Sequence, residues 1–325
     1  MTQSIRALLE HRQYQPRFEK AAAAVTNLSG CNWRLYCFQF AYLNQKMPPK
    51  KHSNIAHFFE FARRKTYLRF GSWLANRKVK RYVEKHLAPL IQEAKLATKS
   101  TGADVSDYVL LHSWIRFKKP KYVLECGSGL TTWIIADALR TNWIESGEKP
   151  DQKGLVVSME EDQDWHTHAA EGCATRLRPF VEYLQSDREY FHYSFLFGVT
   201  YKTIPDYPYE LMFVDGPVCR YYQDEETRET YEHTAALDLV KLLLRREDLK
   251  LTVLVDNLKR TQIAYSCLFR PNSLIYYKHL SNLGVMEEVT RADLSADTEQ
   301  FLQTFKKIIN KSSWNGTPSF FQNLE

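Results

Sequence analysis

The apolar residues in the centre of the chain form short continuous runs, each about as long as one β-strand. Five such runs lie in 120–132, 155–160, 181–184, 210–217 and 251–257. Between and after them, apolar residues recur at helical spacing in 131–140, 162–176, 230–246 and 261–269. Two further runs, 274–277 and 285–289, flank a Ser-Asn-Leu-Gly turn and predict a closing hairpin. Continuous apolar runs that alternate with helices are typical of a parallel sheet buried on both faces. The pattern therefore predicts a doubly wound α/β fold of seven strands, mostly parallel, with an antiparallel last strand.

Four of the five runs end in an acidic residue: Glu125, Glu160, Asp215 and Asp256. The carboxyl ends of parallel strands line the ligand crevice of such a sheet, so we expect these four carboxylates to lie along one edge. The alternative is that each acid caps the helix that follows its strand, a common role for such residues.

The turn after the first run contains two glycines, Gly127 and Gly129, and leads directly into a helix. Glycines let the chain turn tightly and let a ligand approach the backbone, while the free N–H groups of the helix attract polar ligands. A pyrophosphate loop usually carries a third glycine and no acid, but here Thr132 takes the third position and Glu125 precedes the turn. The acid favours a cationic, nucleotide-like ligand.

The E-x-G-x-G pattern at Glu125–Gly129 resembles motif I of class I S-adenosylmethionine (SAM)-dependent methyltransferases. This resemblance covers about residues 105–292 and implies a Rossmann-like domain that binds SAM. It implies that Glu125 faces the methionine part of the cofactor, Glu160 the ribose and Asp187 the adenine. The other expected cofactor contacts are Gly127, Ser128, Gly129, Thr131 and Thr132.

A closer resemblance is to bacterial methyltransferases associated with glycan synthesis. Their pattern reads L-E-x-G-S-G-x-S-T, then V-x-S-x-E-x-D-x-x-W, then V-D-G-P, and this chain carries close equivalents at 124–132, 156–165 and 214–217. The resemblance implies O-methylation of a sugar, a glycan or a small hydroxylated metabolite.

Asp215 is the candidate catalytic residue, because an acceptor hydroxyl must be aligned with the methyl group and must lose its proton. Asp215, Asp256 and Asn257 also resemble the Mg²⁺ ligands of catechol-type O-methyltransferases. The chain departs from that group in the long spacing between the two aspartates and in Val218, which stands where a lysine is usual. Arg220 could pair with an acidic substrate and His233 could act as a base, although an exposed arginine and a packed histidine are the ordinary alternatives.

Charge divides the chain into unequal parts. Residues 1–100 hold 19 of the 44 Lys and Arg but 5 of the 38 Asp and Glu, a net charge of +14, against −8 for the remainder. We therefore expect a basic, mainly helical N-terminal region at 1–104, the methyltransferase domain at 105–292, and a C-terminal helix and tail at 293–325. The basic region could bind an anionic partner, namely a membrane surface, an acidic glycan or a nucleic acid.

Two other functions remain open at this stage. The basic region would suit a methyltransferase acting on RNA or another nucleic acid, although the chain has Asp215-Gly-Pro-Val in place of the N/D-P-P-Y/F motif of base-modifying enzymes. A SAM-binding protein without methyl transfer is the other. No export signal or membrane-length apolar run is seen, and the six cysteines lack paired spacing, so a cytoplasmic location is expected, with attachment to the inner membrane face as a further option. A homo-oligomer is also left open.

Overall fold

The computed structural model describes residues 80–98, 105–193, 196–217, 221–223, 230–232, 235–269, 275–276 and 283–295. Most of the basic N-terminal region, the tail after residue 295, Arg220 and His233 lie outside these residues. The described part of the N-terminal region is helical: a π-helix at Val83–Leu87 continues into α1 (Ala88–Ala97).

A seven-stranded sheet forms the centre of the protein. In chain order its strands are β1 (Tyr122–Cys126), β2 (Leu155–Glu160), β3 (Val181–Gln185), β6 (Leu211–Val214), β10 (Leu251–Val255), β11 (Ile275–Tyr276) and β12 (Gly284–Val289). Their spatial order is β11-β12-β10-β6-β1-β2-β3. The pairs from β10 to β3 are parallel, while β12 runs antiparallel to both β10 and β11. The predicted α/β sheet with an antiparallel last strand is confirmed.

Helices cover both faces of this sheet. Alternate residues of each central strand point to opposite faces and join two hydrophobic clusters. One cluster contains residues of α1, α2 (Val105–Lys118) and α3 (Leu130–Glu145), and the other contains residues of α5 (Asp238–Arg245) and α6 (Lys259–Leu268). The remaining helix, α4 (Gln163–Gly172), contacts β3 and β2. Burial on both faces explains why the strand sequences lack polar alternation.

Two of the predicted helices are shorter in the structure than the sequence pattern indicates. The helix predicted at 162–176 ends at Gly172 and is followed by a short 3₁₀ turn, Arg178–Phe180. The helix predicted at 230–246 is wrong over its first part, because α5 begins at Asp238 and is preceded by β8 (Thr230–Glu232) and β9 (Ala235–Ala236). Ala235 and Ala236 favour helix by themselves, but here they pair with another strand, so tertiary contacts outweigh local preference.

An antiparallel hairpin that the sequence analysis missed occupies the connection from β3 to β6. It consists of β4 (Arg188–Tyr193) and β5 (Leu196–Tyr201), and β5 also pairs with β9. Gly198 permits that pairing, since a Cβ there would lie 2.5 Å from the carbonyl oxygen of Ala235. A second small hairpin joins β7 (Tyr221–Gln223) to β8. Within the described residues, no helix is long and apolar enough to cross a membrane.

Candidate functional site

The four acidic residues predicted to share one edge of the sheet do so. Their strands are neighbours in the order β2-β1-β6-β10, and each acid ends or follows its strand at the carboxyl side. None of the four caps the helix that comes next: α3 has Gly129 at its N-cap, α4 has Asp162, α5 has Leu237 and α6 has Leu258. The capping alternative is therefore wrong, and the four carboxyl groups are left for other roles.

The turn after β1 needs a glycine at Gly127. Its φ is +98°, a left-handed conformation, and a Cβ there would lie 3.3 Å from the backbone carbon of Asp215. The amide of Gly127 donates to the carbonyl of Met159 at 2.9 Å, which ties the turn to β2. Gly129 differs, because its φ of 167° is extended backbone. The amide of Gly129 donates to the Thr132 hydroxyl at 3.0 Å at the start of α3.

Glu125 lies at the bottom of this turn and is fully buried. Its Oε2 accepts a hydrogen bond of 2.6 Å from the Thr132 hydroxyl, while its Oε1 has no hydrogen-bond partner among the residues that the structure describes. Burial raises the pKa of Glu125 to about 7, although the hydroxyls of Thr132, Thr131 and Ser158 favour the charged form. A buried carboxyl with one unpaired oxygen can accept a hydrogen bond from a cationic ligand group, which would also hold it ionised.

Glu160, the predicted ribose residue, is held by three backbone amides. Its Oε2 accepts from Ser128 N at 3.0 Å, and its Oε1 accepts from Glu161 N and Asp162 N, both at 3.1 Å. Burial raises the pKa of Glu160 to about 7 as well. The carboxyl group thus joins the glycine turn to the start of the loop after β2, and its position at the carboxyl end of β2 fits the predicted role.

Asp187 lies beyond the end of β3 and is exposed. It borders a cleft of about 740 Å³ beside the carboxyl ends of β2 and β3. The cleft is lined by charged side chains: Glu161, Asp162, Asp187, Arg188, Glu189 and Lys202. The amide of Ser186 donates to the carbonyl of Glu160 at 2.9 Å, so the loop that carries Asp187 is attached directly to the ribose candidate.

Asp215 and Asp256 lie together at the other side of the site. Burial raises the pKa of Asp215 well above its ordinary range, and a side-chain hydrogen bond to Asp256 together with the charge of that neighbour raises it further. The two carboxyl groups therefore lie close enough for the charge of Asp256 to act on Asp215. Gln262 on α6 fixes the backbone beneath the pair by donating to the carbonyl of Asp256 at 2.8 Å. The two aspartates are therefore neighbours, as expected for the ends of adjacent strands, and their joint role in a reaction stays a prediction.

The metal prediction receives no such support. No group of three His, Cys, Asp or Glu side chains that could hold a metal ion occurs in the described ranges, and Asn257, the third predicted ligand, is exposed. Mg²⁺ prefers six oxygen ligands in octahedral geometry, and Asp215 and Asp256 are the two carboxyl groups that this edge brings together.

Three residues of the site were not singled out from the sequence. The Ser158 hydroxyl lies 2.8 Å from that of Ser128 and 3.2 Å from that of Thr132. The Trp165 indole donates to the carbonyl of Ser128 at 2.7 Å, and the Tyr201 hydroxyl reaches the end of β2. Ser158 and Trp165 are fixed letters of the V-x-S-x-E-x-D-x-x-W pattern and could have been found there. Tyr201 has no such signal, because it comes from the unpredicted hairpin.

Comparison with known proteins gives distant structural similarity alone. No family model and no curated protein matches the chain. Among solved structures it is similar to the O-methyltransferase TomG from Streptomyces achromogenes, involved in tomaymycin synthesis, in complex with SAM. The two share 15% identity over 70% of this chain and 79% of TomG, with a TM-score of 0.32. It is also similar to an O-methyltransferase from Bacillus cereus in complex with SAH, with 12% identity over 73% of this chain and 86% of the other and a TM-score of 0.34. These values are too low to carry an argument, so the function is argued from the site itself.

Proposed function

We propose that the chain is a SAM-dependent O-methyltransferase that acts on a hydroxyl group of a sugar, a glycan or a small metabolite. The observation that carries the proposal is the convergence of Glu125, Glu160, Asp215 and Asp256 on one edge of the sheet, around a glycine turn that places an amide and a helix start beside them. An edge rich in carboxyl groups suits the sulfonium and ammonium groups of SAM, whereas a pyrophosphate would be repelled.

The two halves of the edge suit different parts of the reaction. In this proposal Oε1 of Glu125, which has no hydrogen-bond partner among the described residues, accepts from the ammonium of the methionine part. Glu160, which accepts from the Ser128 amide, would also accept from the ribose hydroxyls. The loop with Asp187 and the adjoining cleft would then hold the adenine. Ser128, Thr131 and Thr132 support this half through the hydroxyl network around Glu125.

Methyl transfer requires a base on the acceptor side. The oxygen of the acceptor attacks the methyl carbon in line, the carbon–sulfur bond breaks, and the sulfonium leaves as the neutral thioether of S-adenosylhomocysteine (SAH). The proton of the acceptor hydroxyl then passes to Asp215. Its raised pKa makes Asp215, when ionised, a stronger base than an ordinary aspartate, and the neighbouring charge of Asp256 favours uptake of the proton by Asp215.

Mg²⁺ would be the alternative means of neutralising this pair. A divalent cation bound by Asp215, Asp256 and Asn257 would neutralise the two carboxylates and lower the pKa of the acceptor hydroxyl. Addition of a chelator distinguishes the two mechanisms. Turnover that persists in EDTA requires Asp215 to act as the base without a metal. Turnover that is lost in EDTA and restored by Mg²⁺ requires the bound cation.

The proposal is tested by calorimetric titration with SAH, followed by incubation of the protein with SAM labelled on the methyl group and a bacterial glycan or metabolite extract. We expect SAH to bind and label to enter a fraction that nuclease does not degrade. Binding of NAD with no response to SAM or SAH would refute the proposal. Label in nuclease-sensitive material would indicate that the acceptor is a nucleic acid. SAH binding without transfer of label to any fraction would indicate a cofactor-binding protein without methyl transfer.

A further inference from the structure

We infer that Tyr201 is a positioning residue of the cofactor site, whose hydroxyl group holds three separate turns in a fixed relation. The expected effect of Tyr201 on SAM affinity rests on the proposed function. Tyr201 is the last residue of β5, a strand outside the main sheet, and it hydrogen-bonds to the end of β2 beside the turns after β1 and β6.

The hydroxyl of Tyr201 lies where these three turns meet. It is 3.1 Å from the carbonyl of Met159 and 3.0 Å from Oε2 of Glu161, both at the end of β2. The carbonyl of Met159 also accepts from the amide of Gly127, in the turn after β1. A Cβ built on Gly216, in the turn after β6, would lie 3.4 Å from the Tyr201 hydroxyl and 3.5 Å from Gly127. The hydroxyl group thus contacts the end of β2, which carries the ribose candidate, and lies beside the turn after β6, which follows Asp215. The turn after β1 is linked to it through the carbonyl of Met159.

Tyr201 is itself rigidly placed. Its amide donates to Oδ1 of Asp238 at 2.7 Å, and its carbonyl accepts from Nζ of Lys241 at 2.6 Å. Both partners belong to α5 and lie about one helical turn apart, and the side chain of Tyr201 is fully buried. The backbone of Tyr201 is therefore fixed by α5 and its ring by the surrounding core, so the hydroxyl keeps a constant position relative to the neighbouring turns.

The hydroxyl affects the cofactor through Glu161. Glu161 follows the ribose candidate Glu160, and its amide donates to Oε1 of Glu160 at 3.1 Å. When Tyr201 holds the carboxyl group of Glu161, it also restrains the backbone that orients Glu160. Removal of the hydroxyl leaves the aromatic packing intact but frees this turn, so the effect should be on ligand affinity more than on folding.

The experiment compares Tyr201→Phe with Tyr209→Phe. Tyr209 is a matched control, because it belongs to the same hydrophobic cluster, is nearly as buried, and has a hydroxyl with no hydrogen-bond partner in the described part of the chain. Two quantities are measured for each protein: the Kd for SAH by calorimetry, and amide hydrogen exchange at Gly127 in the absence of any ligand. Thermal unfolding midpoints verify that both variants are folded.

We expect Tyr201→Phe to weaken SAH binding about tenfold and to speed exchange at Gly127, with Tyr209→Phe close to wild type in both. Wild-type affinity and wild-type exchange in Tyr201→Phe would overturn the inference. If the wild-type protein does not bind SAH, the proposed function fails, and the exchange measurement alone decides whether Tyr201 holds the turns. If Tyr201→Phe does not fold, Glu161→Ala removes the same hydrogen bond from its half-exposed side. Unchanged SAH affinity in Glu161→Ala would then overturn the inference.

Discussion

Replacement of Glu125 by Gln should remove a large part of the pH dependence of cofactor binding. Glu125 is fully buried, has one unpaired carboxyl oxygen, and has a pKa raised to about 7. The methionine part of SAM and the corresponding part of SAH carry an ammonium group. If that group binds the ionised form of Glu125, affinity should follow the ionised fraction, and therefore rise with pH. A glutamine keeps the shape and cannot ionise.

The expected size of the effect follows from that pKa. With a pKa of about 7, roughly 3% of Glu125 is ionised at pH 5.5 and roughly 76% at pH 7.5. The affinity of the wild-type protein for SAH should therefore rise about 25-fold over this range relative to the variant, which corresponds to about 1.9 kcal/mol. The full change requires that the bound ammonium lowers the pKa of Glu125 below 5.5.

Calorimetric titrations of both proteins with SAH at pH 5.5, 6.5 and 7.5 measure this ratio. Glu160 also has a pKa of about 7, but it is present in both proteins, so its contribution largely cancels in the ratio. A ratio of affinities that stays constant from pH 5.5 to 7.5 would refute the reasoning, because it would show that the charge of Glu125 does not face the cofactor.

Three further predictions concern other parts of the structure. Burial raises the pKa of Asp238 to about 8, so the wild-type protein loses the stability that comes from its retained proton as pH rises toward that value. The free energy of unfolding of Asp238→Asn, measured in urea, should therefore rise relative to wild type by about 3 kcal/mol between pH 5 and pH 7. A difference that does not depend on pH would contradict this. Gly127→Ala should lower the free energy of unfolding by about 1–2 kcal/mol because of its left-handed backbone, and it should also weaken SAH binding because the new Cβ contacts Asp215. Gly147→Ala, with φ +78° and open space around it, should lower the stability alone. Equal SAH affinity in the two variants would remove Gly127 from the site. Asp215→Asn should lower turnover at least about 100-fold with little change in SAH affinity, and full turnover would show that Asp215 is not the base.

The sequence predicted the central sheet because each of its inner strands is buried on both faces and reads as an unbroken apolar run. It also predicted the edge on which Glu125, Glu160, Asp215 and Asp256 meet, because parallel strands leave no choice about where their carboxyl ends lie. Both inferences follow from the local pattern of apolar residues and from the topology of a parallel sheet.

The parts that were missed depend on contacts between distant segments. Ala235 and Ala236 are good helix formers that become a strand through pairing with β5, and no local pattern shows that partner. Burial alternates between exposed and half-buried positions over Arg188–Tyr193, but the residue types do not alternate in the same way, because Glu189 is half-buried and Tyr190 is exposed. The position of Tyr201 beneath the turns follows from that hairpin and could not be predicted without it.

The hydrogen bond from the Trp165 indole to the carbonyl of Ser128 has a practical consequence. It places a half-buried fluorophore directly against the glycine turn, where no label has to be attached. Indole emission is sensitive to the polarity and hydrogen bonding of its surroundings, so a ligand that settles on the turn changes the optical signal of this side chain. Because the chain holds seven tryptophans, subtraction of the spectrum of Trp165→Phe isolates its contribution. Trp165 thus gives the protein a built-in reporter with which libraries of nucleosides and sulfonium compounds can be screened in solution.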